Sequence, residues 1–73
     1  MSFERDPLTT TKDLVDLFLT SLVNISDINN KIITTHVITN LDALALAETL
    51  TVAASAARGL HQRIPHSEPF KLS

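Results

Sequence analysis

The chain has 73 residues, no cysteine, one glycine, neither tryptophan nor tyrosine, and a formal net charge of −2. That length allows one small domain and leaves no room for a second core. Without cysteine there is neither a disulfide nor a thiolate zinc site, and with Gly59 alone there is no glycine-rich loop to cradle a phosphate, so P-loop and dinucleotide-binding functions are excluded.

A chain of this size buries only about 60% of the surface that its unfolded form exposes. Self-association is the simplest source of the missing burial, because a small helical unit can complete its core against a copy of itself. The charge is unevenly spread: residues 13–57 carry Asp13, Asp16, Asp27, Asp42 and Glu48 against Lys31 alone, while Arg58, Arg63 and Lys71 near the end face only Glu68. This basic end is too sparse to form a phosphate-binding footprint.

Residues 1–10 hold Pro7 and no apolar period, and they read as an arm leading to a helix cap. Their mixed charge lacks the basic start and apolar run of a signal peptide, which places the expected location in the cytoplasm. Thr10, with Asp13 three residues later, is a helix N-cap signal. Over 11–24, Leu14, Leu17, Phe18, Ser21, Leu22 and Ile25 fall at helical spacing, with Lys12, Asp13, Asp16, Thr20 and Asn24 opposite and Val15, Leu19 and Val23 widening the stripe.

Asn24 to Asp27 reads as a turn, since Asn, Ser and Asp side chains compete for local backbone groups. The β-branched run over 31–39 has strand propensity, but the chain offers no second strand, so it would have to pair with another subunit. Read as a helix over 27–38, it needs no such partner. A helix over 41–63 is rich in Leu, Ala and Glu, with Arg58–Gly59 as a candidate C-cap. Its stripe, Leu46, Leu50, Ala53, Ala57, Leu60 and Ile64, lies on the opposite side from Ile33, Val37, Leu41 and Leu44, so the chain either continues as one helix with two faces or restarts near Thr39 to Asp42. The many alanines make this helix thin, which suits close approach of more than one neighbour. Residues 65–73 form a short tail.

Apolar as it is, the stretch 32–57 contains His36, Asn40, Asp42 and Glu48, and each acid would cost roughly 2.5–3.5 kcal/mol near a bilayer centre. Burial within protein is the better reading. His36, His61 and His66 lack the i, i+4 spacing of a helical metal pair, and nothing resembles a nucleophile elbow around Ser21 or Ser55. No enzyme activity, metal or cofactor is expected.

The sequence therefore predicts an all-α fold, a helical hairpin or a three-helix unit over 11–24, 27–38 and 41–63 with terminal arms, completed by oligomerisation. The expected function is a non-enzymatic protein-interaction module: an adaptor, assembly factor or inhibitor of the kind phages and mobile elements encode. Its predicted interface comprises Leu14, Phe18, Leu22, Val37, Leu41, Leu44, Leu46, Leu50, Ala53, Ala57, Leu60 and Phe70. Glu48 is expected to be exposed or to meet Arg58 or Lys31 of a neighbouring chain, and Phe3 and Phe70 are candidate anchors in the arms. The alternative is a dimeric DNA-binding regulator reading bases through 29–40 with Thr, Asn, Lys31 and His36. A membrane partner is not expected.

Overall fold

A computed structural model describes residues 9–72, leaving Phe3, most of the expected N-terminal arm and Ser73 outside the described residues. Two long helices, α1 (Thr11–Thr35) and α2 (Asn40–Arg63), fold back on one another as a hairpin joined by the turn at 36–39. Of the two predicted architectures the hairpin is the one formed.

Both helices start by the same local chemistry. The Thr10 hydroxyl accepts from the Asp13 N–H at 3.1 Å while the Asp13 carboxylate accepts from the Thr10 N–H at 3.1 Å. Thr39 and Asp42 repeat this reciprocal box, each bond again 3.1 Å. Each box satisfies backbone donors that a helix start otherwise leaves unpaired, with a negative charge in the first turn where the helix dipole favours it. Thus the chain restarts at Thr39, the second of the two predicted arrangements.

The turn expected at Asn24 to Asp27 does not form; α1 runs straight through it. Ser21, Ile25, Ile28 and Ile32 continue one apolar row in helical register, and packing that row outweighs the local competition from Asn24, Ser26 and Asp27, which all point to solvent. Nor does the 27–38 segment stand as a separate helix. Its β-branched run divides: residues 31–35 end α1, and His36 then adopts left-handed angles (φ 57°, ψ 28°), its N–H donating to the Ile32 carbonyl at 2.8 Å. There is no strand among the described residues.

Gly59, predicted as a C-cap, instead lies buried inside α2, which continues to Arg63 and stops at Ile64, extended before Pro65.

Between the helices lies a single seam. From α1 it takes Leu14, Leu17, Phe18, Ser21, Ile25, Ile28 and Ile32, and from α2 Asp42, Ala45, Leu46, Thr49, Ala53, Ala56, Gly59 and Leu60, spaced by threes and fours. Leu14 and Ala56 are fully buried and Ala53 nearly so. Burying Leu14 stabilises the hairpin by about 1.5–3 kcal/mol. The buried Ser21 hydroxyl donates to the Leu17 carbonyl at 2.8 Å, so it needs no cross-seam partner. At the open end the Arg63 guanidinium donates to the Thr9 carbonyl, fastening the end of α2 to the start of α1. The result is a slab of 43 × 27 × 17 Å.

Candidate interaction surface

The Lys31 ammonium donates to the Asp42 carboxylate at 3.1 Å and ties the end of α1 to the start of α2. With only residues 36–39 between the helices, counting back along α1 and forward along α2 at equal rise puts Ser26 near the level of Ala47, Leu19 near Ala54, and Leu14 near Gly59. At about 100° per residue, the positions flanking the seam then fall on one or the other broad side of the slab.

One broad side is polar. Leu17, Thr20, Ser21 and Asn24 of α1 and Glu48, Thr49 and Val52 of α2 line a shallow groove along it. Glu48 is exposed there in the single chain. Lys31, one of its proposed partners, is instead engaged with Asp42 of its own chain.

The opposite broad side is apolar. Val15, Leu19, Leu22 and Ile33 run along α1, and Ala43, Ala47, Leu50, Ala54 and Ala57 along α2. Leu19, Leu22 and Leu50 remain 43–53% exposed although they sit in the middle of helices. A second apolar zone crowns the turn end, where Val37, Ile38, Leu41 and Leu44 join Ile33 in solvent, Leu41 being 75% exposed. At the other end, Phe70, Lys71 and Leu72 come back beside Lys12, Val15, Asp16 and Leu19 and frame a small cavity.

These surfaces sort the residues predicted for an interface. Leu14, Phe18, Leu46, Ala53 and Leu60 face the seam within the chain; Leu22, Leu50 and Ala57 lie on the apolar side; Val37, Leu41 and Leu44 stand at the turn end; Phe70 is in the returning tail. Val15, Leu19 and Ile33, read from the sequence as parts of wider apolar faces, and Ala43, Ala47 and Ala54, read as part of a thin helix open to several neighbours, were left off the predicted interface. The signal for the first group was a second apolar row on α1, offset from the seam row.

The charged groups serve the hairpin. The Thr39 N–H, and after it the Lys31 ammonium, hold the Asp42 carboxyl below the usual aspartate range, and the Thr10 N–H does the same for Asp13. Lys12 and Asp16 pair at 3.0 Å one turn apart on the surface, where such pairs add little. His36 sits exposed in the turn, and the exposed His61 and His66 rings meet edge to face at 6.2 Å. Among the described residues no three His, Asp or Glu side chains gather in a group able to hold a metal ion, and no helix is long and apolar enough to cross a membrane. The segment 29–40 is divided between the end of α1, the turn and the start of α2. Comparison with family models, curated proteins and solved structures finds no match.

Proposed function

We infer that the protein is a non-enzymatic helical interaction module, acting as an adaptor, assembly factor or inhibitor by burying Leu- and Ala-rich helix faces against protein. The observation that carries this reading is the imbalance between core and surface. Among the described residues Leu14 is the one large side chain fully buried, whereas Leu19, Leu22, Ile33, Val37, Leu41, Leu44 and Leu50 are all 43% or more exposed. Apolar surface in this excess, gathered on one broad side and at the turn end, supports a protein contact.

Capture from a cell extract by the wild-type chain and by Leu44→Glu tests the reading. A discrete partner held by the first and lost by the second, with helical content unchanged, is the expected result. Identical capture by both chains, with the wild type monomeric, would sink it. The DNA-reading alternative has less support, because Lys31, the sole cation of 29–40, already faces Asp42. Duplex binding that weakens steeply with salt would reverse that preference.

A further inference from the structure

We propose that the apolar broad side is covered by a second copy of this chain, in a four-helix arrangement whose two-fold axis runs parallel to the helices. Each α1 then lies on the α2 of the other copy. This rests on the interaction reading above and adds the occupant and its geometry.

The case for a second copy starts from the size of the seam. A hairpin whose fully or nearly buried apolar residues are Leu14, Ala53 and Ala56 has little core of its own, so its cover is needed whenever it is folded. A copy of the same chain is present at matching concentration by definition. The area is sufficient: two helices of this length, about 36 Å long and together about 20 Å wide, offer roughly 700 Å² per copy, close to the 800 Å² per partner of a standard interface.

The axis direction follows from side-chain size. The apolar side is bulky along α1 and small along α2. Packing related by an axis parallel to the helices puts Val15 and Leu19 of one copy near Ala57 and Ala54 of the other, with a single bulky meeting, Leu22 on Leu50, between them and the turn end. An axis perpendicular to the helices would set leucine on leucine and alanine on alanine, and one flat interface cannot meet both spacings, since helix separations of 8–10 Å depend on the side chains between them.

One further feature agrees with this choice. The parallel axis brings both apolar turn ends together, so that Val37 and Ile38 of each copy share cover, whereas the perpendicular axis strands them at opposite ends.

Because the chain has no cysteine, introduced thiols report position without background. Ser26 and Ala47 stand level, are small and exposed, and lie away from the returning tail. Within one hairpin they point outward from helices about 8–10 Å apart, beyond disulfide reach, but across the proposed interface they meet.

The full-length double variant Ser26→Cys/Ala47→Cys should convert to covalent dimer under mild oxidation, while each single variant stays below a tenth of that yield. Asn29→Cys/Ala43→Cys, exposed and also clear of the tail, tests the same geometry at a second level should the first pair disturb folding. Efficient crosslinking of Ser26→Cys alone would mean α1 lies on α1 and would overturn the arrangement while leaving the interaction reading intact. A wild-type chain that light scattering finds monomeric overturns the second copy as occupant, and retained partner capture by that monomer would keep the interaction reading alive.

Discussion

The two broad sides of the hairpin share one backbone and differ in what the sequence places on it. Thr20, Asn24, Glu48 and Thr49 line one side, whereas Leu22, Ile33 and Leu50 leave the other with apolar surface that the hairpin does not use, Val15 and Leu19 being met in part by the returning tail. A two-helix fold needs only the seam between its helices. Much of what is apolar beyond that seam gathers on one broad side and at the turn end, with Val23 on the outer edge of α1 and Phe70 and Leu72 in the tail as exceptions.

Substitutions can break that contrast, and the largest effect belongs to the seam that both sides share. Leu14→Ala should cost about 2–5 kcal/mol, which urea denaturation followed by helical circular dichroism will measure. A loss under about 1 kcal/mol would mean Leu14 is not the anchor its burial indicates.

The two sides come next, as a matched pair. Leu50→Glu should weaken self-association at least tenfold in sedimentation equilibrium, and Thr20→Glu on the polar side should leave it unchanged; equal effects would erase the distinction between the sides.

Smaller effects are expected at the turn, which holds the sides in register. Thr39→Ala removes a capping acceptor and should lower stability by about 1 kcal/mol. His36→Gly relieves a left-handed non-glycine residue and should raise it by up to about 1 kcal/mol, both read from denaturation midpoints.

The pH dependence follows from the two boxes. The Asp13 and Asp42 carboxyls are held below their unfolded values, so their contribution is complete above the ordinary aspartate pKa of about 4 and is lost as pH falls through the depressed folded values. Helical signal near the melting midpoint should stay flat from about pH 7 to 5 and decline below about 4, with Asp42→Asn reducing the decline. Least of all is expected from Glu48→Lys, which should leave the mass in solution unchanged; dissociation would show that the polar side takes part in assembly.

Both helix starts were legible because a capping box is written within four residues: Thr10 with Asp13 and Thr39 with Asp42 each contain their own partner. What lay beyond reach depended on residues distant in the chain. Asn24 to Asp27 has the composition of a turn, and only the row Ser21, Ile25, Ile28, Ile32 packed against α2 keeps it helical.

Gly59 after Arg58 reads as a helix end, yet it lies buried inside α2, where the lack of a side chain suits the seam. The surface was half legible for the same reason. Leu22, Leu50 and Ala57 were singled out as contact residues, but which overlapping stripe faces the partner helix and which faces out is set by how α1 and α2 pack across the short turn.

That turn has a consequence for how many chains share one seam. His36 is the single described residue with left-handed angles, and four residues separate α1 from α2. If all four turn residues, the left-handed His36 and the extended Thr39 among them, took up helical angles, α1 and α2 would run on as one rod, and two such rods lying antiparallel could rebuild the same seam by exchanging halves, as short connections permit in domain swapping. The turn at 36–39 therefore sets how many chains a seam takes: it closes the seam within one chain and leaves the apolar broad side outside it.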